Sequence, residues 1–328
     1  MKLGTGSAAT LVVLASIAAQ AQGIDFARTE ILTEQVAPNF YVLSGSPGVD
    51  PGHPEAAGGR IGVLVGPDGV VMVDAQYAPL TEKVLTAIRK INSGPIRYLI
   101  DTHEHPDHTG GNPTFARGGT VIFAREEVRE ALQQPPPPAV AKAIGNAASF
   151  TDPARLPMIT YGLGGSVKIH CNGETVDLLP VRAAHTDGDT VVRFETSDVM
   201  MIGDFYRNYG YPFIDPTHGG TFQGVLEALD LVMKLAGPKT TLVPGHGTVV
   251  SRADLVAYRD MIVKVRNEVQ QMINDGKSLK EVLAARLTAP YDATTAGALT
   301  PLPALPLGFG TSADRFVATM YAELKAGH

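Results

Sequence analysis

Short apolar runs separated by glycine- and proline-rich turns characterise the chain from residue 31 to residue 250, and this pattern predicts buried β-strands. The two residues Asn172 and Gly173 separate two such runs and predict a type I′ hairpin. The predicted strands are residues 31–36, 40–43, 61–65, 70–73, 97–100, 121–124, 168–171, 175–181, 190–194, 199–202 and 242–243.

Apolar residues at helical spacing predict helices between some of these strands and throughout the last quarter of the chain. The predicted helices are residues 79–92, 125–133, 220–235, 252–272, 279–287 and 312–324. The order of strands and helices indicates two βα halves packed as an αββα sandwich, an α/β fold, with a helical C-terminal extension over residues 251–328. We expect irregular structure at residues 44–60, 115–121, 134–160 and 288–309, because glycine and proline are frequent there.

The first 21 residues have the features of a secretory signal peptide. Lys2 precedes an apolar stretch at residues 8–19, and Ala19-Gln20-Ala21 matches the cleavage rule. We therefore expect a secreted or periplasmic protein whose mature part, residues 22–328, is one domain.

The net charge of −6 argues against nucleic acid and anionic membranes as partners. After the signal peptide, no apolar segment is long enough to span a bilayer. Cys171 is the single cysteine, which excludes an intramolecular disulfide and argues against thiolate metal chemistry. The expected partner is a small-molecule substrate.

The candidate chemistry lies in histidines and aspartates near predicted strand ends. The densest group is the segment from His103 to His108, directly after the apolar run 98–100. The seven candidate ligands are His103, His105, Asp107, His108, His185, Asp204 and His246. Seven nitrogen and oxygen ligands without thiolate suit two Zn²⁺ ions, with Mn²⁺ or Fe²⁺ as alternatives.

Local geometry supports two ion sites. His103 and His105 are two residues apart, so on an extended segment they point in the same direction. Asp107 and His108 follow Pro106, where the chain must turn, and can face a second ion.

These motifs, in this order, resemble the metallo-β-lactamase superfamily of αββα hydrolases over residues 39–250. The resemblance implies that His103, His105 and His185 hold the first metal, that Asp107, His108 and His246 hold the second, and that Asp204 bridges both. It also implies a metal-bound hydroxide that attacks a carbonyl carbon, with Asp107 as the catalytic residue that orients the water.

The segments around His185 and His246 resemble those of the zinc β-lactamases. The main subclasses of those enzymes, however, have Cys or Ser where this chain has Asp204. A bridging aspartate is typical of glyoxalase II-like thioesterases and lactonases. A β-lactam, a lactone or an ester therefore all remain possible substrates. The alternatives are a glyoxalase II-like thioesterase, an iron-dependent redox enzyme on the same fold, and a non-catalytic metal-stabilised binding protein.

Three residues are predicted to contact substrate. Arg207 stands three residues after Asp204, on a predicted loop over residues 205–215, where one β-lactamase subclass has a cationic residue that binds the substrate carboxylate. Tyr211 lies on the same segment, where packing beside Arg207 is the alternative, and His53 lies in the glycine-rich loop.

A second set of residues is predicted to support the metal ligands. The resemblance implies that Asp74 lies under the metals, and Asp187 and Asp189 are expected either to fix His185 or to form a turn. His170 and His218 are not expected to be ligands.

Overall fold

Two β-sheets with helices on their outer faces form the described part of the chain. The computed structural model describes residues 24–46, 58–134, 150–165, 167–299 and 310–327. The first sheet has seven strands in the order β1-β2-β3-β4-β5-β6-β7, and the second has five in the order β12-β11-β10-β9-β8. The predicted signal peptide and most of the 44–60 loop, including His53, lie outside the described residues.

The strands are β1 Ile31–Ala37, β2 Phe40–Gly45, β3 Ile61–Gly66, β4 Gly69–Val73, β5 Ile96–Ile100, β6 Val121–Arg125, β7 Ile159–Tyr161, β8 Val167–Cys171, β9 Glu174–Pro180, β10 Thr190–Phe194, β11 Val199–Arg207 and β12 Thr241–His246. The α-helices are α1 Thr81–Ile91, α2 Pro106–Thr109, α3 Asn112–Arg117, α4 Glu126–Leu132, α5 Phe222–Leu235, α6 Arg252–Asn274, α7 Leu279–Ala284, α8 Ala289–Asp292 and α9 Ser312–Ala326. Short 3₁₀ helices are Ala78–Leu80, Pro153–Arg155 and Pro216–His218.

Three apolar layers confirm the predicted αββα sandwich. Residues from both sheets, such as Phe40 and Phe194, pack between the sheets with ring centroids 4.5 Å apart. The outer face of the first sheet packs against α1, and that of the second packs against α5, α6 and α9. The core thus holds the two sheets together and fixes the strand ends that carry the polar residues.

The hairpin between β8 and β9 has the predicted two-residue turn. Cys171 pairs with Glu174, and the two turn residues have positive φ angles of 54° at Asn172 and 72° at Gly173. Both values fit a type I′ turn, in which asparagine and glycine are favoured.

Strand β11 is longer than predicted, and this changes the position of Arg207. The prediction ended the strand at residue 202. In the structure, Gly203 has a φ of 57° and forms an irregularity, after which pairing with β12 resumes and joins Arg207 to His246. Asp204 and Arg207 therefore lie on a strand, and the prediction of a loop over residues 205–215 was wrong at its start.

Smaller corrections concern the helices. Residues 115–121 were predicted to be irregular, but α3 extends to Arg117. The helix predicted at 279–287 ends at Ala284, and the predicted loop after it contains α8. Among the described residues, no helix is long and apolar enough to cross a membrane.

Candidate metal centre

Three imidazoles form the first ligand group, and their inward nitrogens face one another. The Nδ1 atom of His105 lies 3.2 Å from Nε2 of His103 and 3.0 Å from Nε2 of His185. All three side chains are buried. A tetrahedral zinc ion with Zn–N bonds near 2.0–2.1 Å would separate its ligand nitrogens by about 3.3–3.4 Å, so the group has nearly the size of a zinc site.

The outward nitrogen of each of these imidazoles has an acceptor that fixes its proton. His103 Nδ1 lies 3.1 Å from the hydroxyl oxygen of Thr102, which itself donates to Asp74. The ring nitrogen of His185 donates to the carbonyl oxygen of Phe213 at 2.7 Å. Burial lowers the pKa of both His103 and His185, so the inward nitrogens of these two rings present lone pairs, an arrangement that a cation stabilises.

A second group contains two carboxylates and two imidazoles. His246 Nε2 lies 3.0 Å from Oδ2 of Asp107 and 3.3 Å from Oδ2 of Asp204. His108 Nε2 lies 3.6 Å from the Asp107 carboxylate and 3.4 Å from Oδ1 of Asp204.

Asp204 faces both groups, because its Oδ2 atom is also 3.9 Å from Nε2 of His185. Within the described part of the chain, the buried atoms His108 Nε2 and Asp204 Oδ1 have no hydrogen-bond partner. Buried polar atoms rarely remain unpaired. The donor set, the spacing and these orphaned atoms fit two metal ions that share the Asp204 carboxylate.

The backbone passes so close to two candidate ligands, Asp204 and His108, that only glycine fits at these positions. A Cβ atom at Gly245 would lie 2.0 Å from Asp204 Oδ1, and one at Gly59 would lie 2.4 Å from Cε1 of His108. Any larger residue would displace a candidate ligand.

Asp74 lies beneath the second group, as the family resemblance implies. Its Oδ2 atom is 2.8 Å from Nδ1 of His108, and its Oδ1 atom accepts a hydrogen bond of 2.7 Å from the backbone N–H of Thr102. Asp74 has a left-handed backbone with a φ of 63°, which costs a non-glycine residue free energy. The Asp74 carboxylate therefore fixes both the ring of His108 and the backbone at Thr102, directly before the histidine segment.

Sequence reasoning missed the contact between His105 and Asp215. The carboxylate oxygen Oδ2 of Asp215 lies 3.0 Å from Nε2 of His105 and 2.7 Å from Nδ1 of His218. Burial would raise the pKa of Asp215, but the hydrogen bonds from both histidines outweigh it and hold the pKa well below its usual range. No local pattern indicates this pairing, because Asp215 resembles an ordinary residue at the start of a proline turn.

Asp189, but not Asp187, contacts His185. The Asp189 carboxylate accepts hydrogen bonds from the backbone N–H of His185 at 2.6 Å and of Thr186 at 3.2 Å. The Asp187 N–H donates instead to the carbonyl oxygen of His218. His218 is part of a group with Glu104 and His105 whose ligand atoms lie within 4.8 Å of one another.

The electrostatic environment differs between individual candidate ligands. Burial and the neighbouring His105 lower the pKa of His185 to about 3, so this ring is neutral and can bind a metal. Burial would lower the pKa of His108, but Asp107 and Asp74 raise it to about 9. Burial would likewise lower the pKa of His105, but the hydrogen bond and charge of Asp215 raise it. A metal ion that binds beside these two rings would replace their protons.

The predicted substrate contacts have different positions. Arg207 is buried at 6% exposure and donates to the hydroxyl of Tyr209. Tyr211 is fully buried instead, packed parallel to Phe316, with its hydroxyl donating to the carbonyl of Thr288 and to Asp292. The structure thus places Tyr211 in the helical core, where its environment does not support the predicted substrate contact.

Comparison with known proteins finds a family match over the part of the chain that carries the seven candidate ligands. The model of the metallo-beta-lactamase superfamily matches residues 56–246. A linear primary-alkylsulfatase from Pseudomonas sp. is 35% identical over 71 residues, which is 20% of this chain and 13% of that protein. The chain thus matches only a small part of that relative.

Solved structures show the fold. A metallo-beta-lactamase from Pontibacter korlensis has a TM-score of 0.56 and 16% identity, with 71% of this chain and 99% of that chain covered. The DIM-1 metallo-beta-lactamase has a TM-score of 0.54 and 17% identity, covering 71% of this chain and 97% of its own.

Proposed function

Because this chain belongs to the metallo-β-lactamase superfamily and is a metal-dependent hydrolase, we propose that it is a dinuclear zinc enzyme that cleaves a β-lactam, a lactone or an ester at the carbonyl carbon. The observation that carries this proposal is the position of Asp204, whose carboxylate faces two separate groups of ligand atoms. One carboxylate between two such groups can bind two metal ions at once, which supports a dinuclear site.

The residues divide into two ligand sets. His103, His105 and His185 would hold one ion, and Asp107, His108 and His246 the other, with Asp204 shared between them. When bound, two such ions lower the pKa of water towards neutrality and polarise the substrate carbonyl.

Asp107 would also act on the reacting water. Its carboxylate is buried at 4% exposure and contacts His246 at the second group. Burial would raise the pKa of Asp107, but His108 and His246 outweigh it and hold the pKa below its usual range. An ionised carboxylate at this position can accept a proton from water and fix its orientation.

The ligand chemistry favours zinc over softer metals. The seven ligands supply imidazole and carboxylate atoms, whereas Cys171 lies on β8 outside every described ligand group. Mn²⁺ and Fe²⁺ remain compatible with these ligands.

A second candidate function is the hydrolysis of a sulfate ester. The similarity to a linear primary-alkylsulfatase favours it, although it covers only 71 residues. The same ligand arrangement could activate water for either reaction, so the two candidates differ in substrate and not in metal chemistry.

Metal analysis and a substrate panel test the proposal. Protein purified without chelator should contain about two zinc ions per chain. The panel comprises a chromogenic β-lactam, a lactone, an aryl ester, a thioester and an alkyl sulfate. Hydrolysis of the β-lactam, the lactone or the aryl ester supports the main proposal. Hydrolysis of the alkyl sulfate alone supports the second candidate. One metal ion or none, or turnover of the thioester alone, would refute the proposal as stated.

A further inference from the structure

Glu104 has a buried carboxylate oxygen without a hydrogen-bond partner among the described residues. The residue belongs to the histidine segment and is 5% exposed. Its Oε2 atom accepts a hydrogen bond of 3.1 Å from the hydroxyl of Thr186, whereas its Oε1 atom accepts none in the described part of the chain. Burial of a carboxylate oxygen costs free energy unless a donor or a cation compensates it. The Oε1 atom is therefore a potential ligand that neither of the two ligand groups uses.

This oxygen faces the imidazole of His218, a residue that was not expected from the sequence to be a ligand. The Nδ1 atom of His218 lies 3.8 Å from Oε1 of Glu104 and 2.7 Å from Oδ2 of Asp215. The longer distance exceeds that of a hydrogen bond. It is closer to the separation of about 3.3–3.5 Å between two ligand atoms on one tetrahedral zinc ion. The shorter distance is a hydrogen bond, which would lengthen when an ion replaced its proton.

The Asp215 carboxylate can bind a cation and keep its contact with His105. Its Oδ1 atom accepts hydrogen bonds from the backbone N–H groups of Thr217 and His218 and from the Thr217 hydroxyl. Its Oδ2 atom lies 3.0 Å from Nε2 of His105. Because each carboxylate oxygen has two lone pairs, Oδ2 can accept from His105 with one and bind an ion with the other. Asp215 thereby joins this cluster to the first ligand group.

Backbone contacts hold the cluster in place. The N–H of Asp215 donates to the carbonyl oxygen of His185 at 2.9 Å, and the carbonyl oxygen of His218 accepts a hydrogen bond of 2.7 Å from the N–H two residues after His185. A Cβ atom at Gly188 would lie 2.9 Å from Oε2 of Glu104, so the backbone confines that carboxylate. The side chain of His218 is 28% exposed, which gives an ion and its water ligands access from solvent.

We propose that Glu104, Asp215 and His218 form a third binding site, for a divalent cation of the zinc class, beside the first ligand group. Two carboxylate oxygens and one imidazole nitrogen are ligands that Zn²⁺ accepts, and Mn²⁺ is compatible with them. Water on the exposed side of His218 would complete the coordination. Because the site has three protein ligands and shares Asp215 with His105, it binds more weakly than the dinuclear centre and fills only in metal excess. Binding at this site does not depend on the proposed hydrolase function.

Zinc titration of the zinc-loaded protein tests the site. Protein is saturated with zinc, desalted and titrated with Zn²⁺ by calorimetry, and the bound zinc is counted by elemental analysis after equilibrium dialysis in zinc excess. The wild type should bind one further ion per chain that His218→Ala and Glu104→Gln do not bind. Loss of a direct ligand should weaken binding by more than the about 10- to 100-fold that loss of an outer partner causes.

Both variants are expected to fold. His218 is partly exposed, so alanine leaves no buried cavity, and glutamine at position 104 keeps the length of the side chain and an oxygen for the Thr186 hydroxyl. His170→Ala is the matched control, because this exposed histidine on β8 contacts Thr175 and lies outside every described ligand group. The control should still bind the further ion. Its loss in the control as well would indicate nonspecific zinc binding and overturn the proposal.

The expected result is a difference of one zinc ion between the wild type and each variant. This difference does not depend on how many ions the main centre holds, so the dinuclear proposal can fail without deciding this one. Equal zinc binding in the wild type, His218→Ala and Glu104→Gln would overturn the proposal and indicate that a protonated His218 neutralises both carboxylates. Loss of the ion in one variant alone would overturn the three-residue site.

Anomalous diffraction from crystals soaked in zinc excess locates the ion. A peak within bonding distance of Glu104 Oε1, Asp215 Oδ2 and His218 Nδ1 is expected in the wild type and not in His218→Ala. A further ion bound at any other position would contradict the proposal.

Discussion

His105 and Asp215, which are 110 residues apart in the sequence, are joined by a contact of 3.0 Å between Nε2 of the imidazole and Oδ2 of the carboxylate. The carboxylate fixes which nitrogen of His105 carries the proton, so that Nδ1 faces the other two imidazoles. A partner of this kind orients a ligand and raises its affinity for metal.

Asp215→Asn should therefore weaken metal binding by about 10- to 100-fold while the protein remains folded. The amide oxygen can still accept from the backbone N–H of Thr217, so the local turn is preserved. Competition with a fluorescent zinc chelator measures the affinity. His218→Ala serves as the comparison, because it removes the other imidazole that contacts Asp215 and should have a smaller effect. Unchanged zinc affinity in Asp215→Asn would rule out this positioning role.

Asp204→Ala should lower the zinc content from about two ions per chain and strongly reduce kcat, because the carboxylate that faces both ligand groups is lost. Elemental analysis and turnover measure the two effects. Asp177→Asn is the control: this aspartate is also buried but lies on β9 beside Lys168. If Asp204→Ala retained two zinc ions, the shared-carboxylate model would have to be abandoned.

Asp107→Asn should impair turnover more than folding. The amide preserves the shape of the side chain but removes the charge that contacts His246 and would accept a proton from water. We expect kcat/KM to fall about 10²-fold or more, with an unfolding midpoint close to that of the wild type. Activity near the wild-type level would exclude Asp107 from the mechanism.

Tyr211→Phe should affect stability and not catalysis. Its hydroxyl donates at 2.7 Å to Asp292 and at 3.1 Å to the carbonyl of Thr288, both in the C-terminal helical region. Loss of these hydrogen bonds should lower the free energy of unfolding by about 1–2 kcal/mol. Denaturant titration and steady-state kinetics check this prediction, and a large rise in KM would instead restore the tyrosine as a substrate contact.

We further propose that the protein is exported. N-terminal sequencing of material secreted through its own leader should begin near Gln22. Mature protein that starts at Met1 would refute the signal-peptide proposal and weaken the argument that the substrate is met outside the cytoplasm.

The sequence by itself determined the αββα layers and the candidate ligands. Alternating apolar runs and turn residues identify strands because burial and backbone hydrogen bonding act over a few residues. The histidine segment from His103 to His108 is equally local, since spacing along an extended chain decides which side chains share a direction. Both could be read from the chain without knowledge of distant contacts.

Only the tertiary structure decided what surrounds those ligands. Asp215 meets His105, and Arg315 meets Phe213, through packing between segments that are far apart in the sequence. The extension of β11 to Arg207 depends on pairing with β12, which restores the strand after the irregularity at Gly203. Tyr211 was assigned to the substrate from its position near Arg207, but α9 covers it and encloses it in the core. Long-range packing of this kind has no local signal, because its free energy arises only when the elements are assembled.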